Sequence, residues 1–440
     1  MTWPAIYNRY PLLYPDSITY IADGRPVARA LFRHEFSAYY GMRSFFYSLG
    51  ILPFYRIATL WAVVALQAVI AAWVLWLVAR SIVPRRTQLW YLAIVAALSL
   101  ITSVSWYASL IMPDILGPVL YLCIYLLVFA DETLSPAERV IVAMIAWWAV
   151  ASHATHLMVA IALCVFLAIL WAIFQSGFML NRLKAIGGVA IIIVLAAVAQ
   201  LGLHNYLYGE PSLNGDRPPF LMVRLIADGP GRWYLEQHCG EAKFARFAMC
   251  NHVRDLDESP DQFLWGEDGV WQNSSREEQK RILQEEVPFA LATLRTYPRA
   301  VLARSAANFW NQLITFDLGF EANDWVGEEF DRALPGQKSH YLRSRQVRDE
   351  LPLVFFSTVQ DCVAVVSLLV IVLLSVWFWR TKSSRLMGFA VVVVPALVAN
   401  AVVTGTLSMV ENRYQSRVIW LLPLLAALLL LDWNAHRKAA

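Results

Sequence analysis

Charge is sparse in this chain of 440 residues: Asp, Glu, Lys and Arg together make up 16% of it, and the formal net charge is only +3. So small a surplus implies no nucleic-acid partner, and the basic residues fall in short clusters between apolar runs rather than in one stripe. Also lacking are a nucleotide-binding glycine loop, a zinc motif, a Ser-His-Asp pattern, a low-complexity tract, an internal repeat and a strand-rich block. Gly pairs such as "IGGVA" lie inside apolar runs, where small residues serve helix packing. What is abundant is apolar surface: 58% of residues are hydrophobic, 18 are Trp, and the mean hydropathy is +0.50. Such values lie outside the range of soluble domains. The fold class is therefore an all-α polytopic membrane protein.

A helix needs about 20 apolar residues to cross the hydrocarbon layer. Nine runs approach this, at 57–79, 89–109, 115–130, 140–152, 157–174, 186–203, 358–379, 387–407 and 418–432. "SHATH" separates the fourth from the fifth, giving two short tilted helices rather than one very long one. Basic residues near helix ends are retained on the cytoplasmic side. "RSIVPRRTQ" (80–88), "NRLK" (181–184) and "RTKSSR" (380–385) fall on one side if the helices alternate, together with "DETLSPAER" (131–139). Residues 1–56, "MPD", "SHATH", 204–357 and "SMVENRYQSR" (408–417) then face the other side, read as the periplasm of a bacterial inner membrane.

The expected organisation is an outer loop with interfacial helices (1–56), a first transmembrane bundle (57–203), a mainly helical periplasmic domain (204–357) and a C-terminal bundle with a cytoplasmic tail (358–440). Residues 28–54 mix Arg, aromatic and aliphatic side chains as helices lying in the interface do. Within 204–357, Ser274 to Glu277 and Ser275 to Glu278 are overlapping capping-box patterns, and Pro288 and Pro298 should kink or divide the helix that follows. Cys123, Cys164 and Cys362 read as core residues, whereas Cys239 and Cys250 are spaced for a local disulfide in an oxidising compartment.

Four clusters converge on the outer face: Asp16 in "YPDS" with Tyr20 close by, Asp114 in "MPD", His153 and His156 in "SHATH", and Glu411, Arg413 and Arg417 in "VENRYQSR". Ionisable groups at helix ends facing one compartment are where membrane enzymes place their sites. Each has a plainer reading. Asp114 suits an N-cap and Asp16 a turn; the two histidines, three apart, permit metal ligation but are ordinary in an interfacial hairpin. Arg413 and Arg417, one helical turn apart, suit either one phosphate or contact with lipid headgroups.

The order of these elements resembles the GT-C superfamily of integral membrane glycosyltransferases, which take sugars from polyprenyl-phosphate donors. "YPDSITY" with the interfacial stretch 28–54, "MPD", and "NRYQSRVIWLLP" carry the resemblance, which spans 11–200 and 358–432 and leaves 204–357 unassigned. Family members have a spanning helix before the first acidic loop. Only 13 residues precede Tyr14, including Pro4 and Pro11, so the chain is expected to begin outside and to start late relative to the family. The resemblance implies an inverting transfer to a cell-envelope glycan or lipid acceptor. Asp16 would be the base, Asp114 would orient the acceptor or hold a divalent cation with Asp16, and Arg413 or Arg417 would face the donor phosphate. Glu411, Tyr20, His153 and His156 would complete the substrate contacts. Two other readings fit the same residues: a flippase or transporter of lipid-linked saccharides, and a noncatalytic envelope-assembly subunit.

Overall fold

A computed structural model gives the fold; the residues described are 1–37, 40, 41, 43–83, 87–174, 179, 182–213, 217–240, 247–256, 259–381 and 384–437. These residues are mainly helical, without a strand, and six helices are long and apolar enough to cross a membrane: Leu60–Ile82, Ala154–Ile173, Leu183–Tyr208, Leu353–Trp377, Ser384–Leu407 and Asn412–Arg437. The chain is a multi-pass membrane protein. All nine apolar runs are helical, but three fall short of the roughly 20 residues of a typical span. Thr87–Ile101 has 15 residues and Pro136–Ser152 has 17, and Pro113–Phe129 is also short. At about 1.5 Å per residue these reach roughly 25 Å.

The break in the 89–109 run is held by one local hydrogen bond and two distant ones. The Thr102 hydroxyl bonds back to the Leu98 carbonyl at 2.6 Å, and the buried Ser103 gives its amide to Gln360 Oε1 (2.8 Å) and its hydroxyl to the Ser416 carbonyl (2.6 Å). A second helix, Val104–Ser109, follows. At "SHATH" the chain also breaks where expected. His153 is extended, ends Pro136–Ser152 and caps Ala154–Ile173 through the Thr155 amide.

Two compact units divide the chain. The larger comprises 1–215, 316–399 and 415–440. Two helices, Pro15–Arg33 and Phe45–Ile57, occupy the stretch read as interfacial. At one end of this unit Arg80 meets Glu138 at 2.9 Å, Arg182 meets Asp131 at 3.5 Å, and Arg385 meets Glu132 at 3.3 Å and the Ser81 carbonyl at 3.0 Å. The three basic loops and "DETLSPAER" thus gather at one end, although residues 84–86, 181, 382 and 383 of those loops lie outside the described residues.

The smaller unit comprises 216–315 and 400–414, so 316–357 of the outer segment belongs with the larger one. Its core packs Met222, Leu235, Leu264, Ile282 and Phe289, with Phe247 edge-on to Phe289 at 5.6 Å. Ser275 rather than Ser274 caps its long helix, Arg276–Thr296; Ser274 instead bonds to the Val270 carbonyl. Pro288 is accommodated within that helix, and Pro298 begins a new one, Pro298–Ile314. Cys239 and Cys250 form a disulfide.

Candidate functional site

Leu12 and Leu110 form an isolated parallel bridge: the Leu12 amide donates to the Ser109 carbonyl and the Ile111 amide to the Leu12 carbonyl, each at 3.0 Å. Beyond the bridge the two segments read alike, "LLYPD" and "LIMPD", and each Pro-Asp begins a helix. Asp16 and Asp114 therefore follow their bridged leucines at equal steps, each in the first turn of a helix where the backbone dipole favours a carboxylate. Two glutamines fix the paired segments. Gln346 accepts from the Leu13 amide (3.1 Å) and donates to the Leu13 carbonyl (2.7 Å). Gln67 donates to the Leu110 carbonyl at 2.8 Å and accepts from the Tyr47 hydroxyl at 2.7 Å.

The two carboxylates have unlike surroundings. Asp16 pairs with Arg43 at 2.5 Å, and the side chains keep 11% and 21% of their surface exposed. Asp114 pairs with Arg417 at 3.2 Å with 1% and 0% exposed. Asp16 thus keeps a small exposed surface, whereas the second pair is interior. Burying two charges is costly unless geometry and additional hydrogen bonds compensate, so the Asp114–Arg417 pair is not by itself a source of stability, although loss of either partner would be costly.

Aromatic side chains connect the pairs. Tyr20, one turn after Asp16, stands edge-on to Tyr47 with ring centroids 4.9 Å apart. Burial, then Tyr20 and then the Asp114 carboxylate, hold the Tyr47 hydroxyl pKa well above its ordinary range, so Tyr47 stays a neutral donor.

His156 is buried over Gly117, three residues after Asp114 on the same face of its helix; a Cβ at Gly117 would lie 2.9 Å from His156 Nε2. Its Nδ1 is 2.9 Å from the Ala149 carbonyl, which can only accept, so Nδ1 carries the proton and Nε2 the lone pair. His153 accepts from the Thr155 amide through Nδ1 and lies 5.1 Å from His156, ring to ring. Among the described residues there is no group of three or more His, Cys, Asp or Glu placed to hold a metal ion.

Glu411 and Arg413 belong to the smaller unit. Gln312 clasps Glu411 by its main chain, donating to the carbonyl at 2.8 Å and accepting from the amide at 2.9 Å. Burial and the neighbouring Asp261 raise the Glu411 carboxyl pKa, and Arg413 offsets part of this. The Arg413 guanidinium lies 5.2 Å from the Tyr414 ring centre.

Of the residues singled out in the sequence, the structure brings Asp114, Arg417 and His156 into one buried cluster and sets Tyr20 beside Asp16's helix start. Sequence reasoning missed Arg43, Gln67, Tyr47 and Gln346. The repeated "L-x-x-P-D" was a usable signal for the pairing of the two acidic segments. No protein-family model, curated protein or solved structure matches this chain.

Proposed function

We propose that the chain is an inverting membrane glycosyltransferase of GT-C type, crossing the bacterial inner membrane nine times and moving a sugar from a polyprenyl-phosphate donor to an envelope acceptor at the periplasmic face. The observation that carries this reading is Asp16: a partly exposed carboxylate at a helix start, held by Arg43 and set in register with a second Pro-Asp segment. In the reaction, the Asp16 carboxylate takes the proton of the acceptor hydroxyl as its oxygen attacks the anomeric carbon. The bond from that carbon to the lipid phosphate breaks, and polyprenyl phosphate leaves with the electron pair. Arg43 orients the carboxylate. Asp114 and Arg417 hold the neighbouring helix start in place, with Tyr20 and Tyr47 as the wall between.

The test is purified protein in liposomes with a polyprenyl-phosphate hexose labelled in the sugar. Label transferred to an acceptor with release of polyprenyl phosphate supports the reading. Label crossing the bilayer with its lipid still attached replaces it with flipping, and neither outcome in the presence of native membrane acceptors leaves an assembly subunit.

A further inference from the structure

The far end of the Pro15–Arg33 helix carries charge that the proposed chemistry does not use. Arg25, Arg29 and Arg33 recur one turn apart and are exposed, and none of the three guanidinium groups is in an ion pair with another described residue. Exposed Arg56, at the end of Phe45–Ile57, adds a fourth: Arg25 and Arg56 both lie close enough to Tyr55 to offset part of the rise that burial causes in its hydroxyl pKa. The exposed acid beside the row is Glu35. A solvated arginine face would be the ordinary explanation in a soluble domain.

Two further observations set this row at a membrane surface. Its depth is fixed, because the opposite face of the helix, Val27 and Ala30, packs with Leu203 and Leu207 at the end of the span Leu183–Tyr208. Tyr206 of that span donates to the Ala30 carbonyl at 3.1 Å and meets His34 at 2.8 Å. Ile57, two residues before the Thr59 cap of the span Leu60–Ile82, marks the end of a second span. The row also carries bare apolar groups: Phe32 is 83% exposed, Phe36 55% and Ile57 87%. Arginines level with span ends, flanked by uncovered apolar side chains, match the headgroup and acyl layers in order.

We propose that this surface docks the bilayer's own anionic phospholipids, with Arg25, Arg29, Arg33 and Arg56 on phosphate oxygens and Phe32, Phe36 and Ile57 in the acyl boundary. Guanidinium groups suit the role because they bind phosphate through two parallel hydrogen bonds. The proposal is independent of catalysis at Asp16.

The test uses the full chain in nanodiscs of phosphatidylcholine with phosphatidylglycerol as the minority lipid. After release into detergent, native mass spectrometry counts the phosphatidylglycerol retained. The triple variant Arg25→Gln, Arg29→Gln, Arg33→Gln should lose relative affinity for phosphatidylglycerol by roughly fivefold per arginine, while the matching Lys variant keeps most of it. If the triple variant melts early, Arg29→Gln alone carries the test, with roughly a fivefold loss. Retention equal to wild type in the Gln variants overturns the proposal. Unchanged phosphatidylglycerol retention with lost binding of polyprenyl phosphate also overturns it, assigning the row to a lipid-linked substrate.

Discussion

Asp114 and Arg417, 303 residues apart in sequence, form an ion pair with almost no exposed surface, joining the helix start after "MPD" to the segment "NRYQSR". Removing one partner leaves a buried charge uncompensated, at a cost of about 3–5 kcal/mol. Arg417→Ala should therefore lower the thermal midpoint strongly, and Arg417→Ala with Asp114→Asn should recover part of the loss. The measurement is melting of purified protein in detergent; equal midpoints for the single and double variants would show that the pair does not couple.

Gly117→Ala should destabilise by about 1–3 kcal/mol through overpacking, since the added methyl lies against the His156 ring. His156→Ala in the same chain removes the obstacle and should restore part of the stability. A Gly117→Ala variant as stable as wild type would mean that His156 turns away freely.

Cys239 and Cys250 close a short loop in the smaller unit, their sequence separation being 11. By the chain-entropy model a loop of that size is stabilised by about 3 kcal/mol. Cys239→Ser with Cys250→Ser should increase proteolysis within 216–315, and mass spectrometry of unreduced peptides should find the two cysteines joined in protein from native membranes. Two free thiols there would contradict the pairing.

The Glu411 carboxyl provides a pH dependence. Its folded-state pKa is raised by burial and by Asp261, so folding favours the protonated form; its contribution is most favourable below the unfolded value and declines as pH rises through the raised one. Glu411→Gln should remove that decline, leaving the variant's thermal midpoint flatter above the ordinary carboxylate range. Parallel profiles for variant and wild type would show that Glu411 does not titrate as inferred.

The helices could be read from the sequence because each apolar run carries its own signature, whereas the lines that fix the site run between distant residues. The 89–109 run gave no sign of its break because the groups that receive Ser103 are Gln360 and Ser416. Gln67 is an amide within an apolar run, as Gln200, Gln360 and Asn400 are, and nothing local marks its partners Tyr47 and Leu110, which are set by packing. Asp16 was legible from its Pro-Asp-Ser context, and Arg43 was not, since an arginine 27 residues away in an interfacial stretch looks like any other. The burial of Arg417 also escaped the sequence: Arg413 and Arg417 share a helical spacing, but only the partner Asp114 distinguishes the interior one.

Asp16→Asn is the substitution on which the proposed chemistry depends. Asn keeps the size and one acceptor, and it is tolerated in a first helical turn, so the helix Pro15–Arg33 should form unchanged. The ion pair with Arg43 would become a weaker hydrogen bond in which the Asn oxygen still accepts from the guanidinium, so neither group is left without a partner. A general base does not survive the change, and its loss costs about 10²- to 10⁴-fold in rate. Arg43→Gln separates orientation from proton transfer: it leaves the carboxylate in place, so it should slow transfer less than Asp16→Asn. The readout is transfer from a labelled polyprenyl-phosphate sugar, normalised to folded protein by size-exclusion chromatography. Asp16→Asn protein that is folded and transfers at the wild-type rate would remove Asp16 as the base and, with it, the glycosyltransferase mechanism proposed for this site.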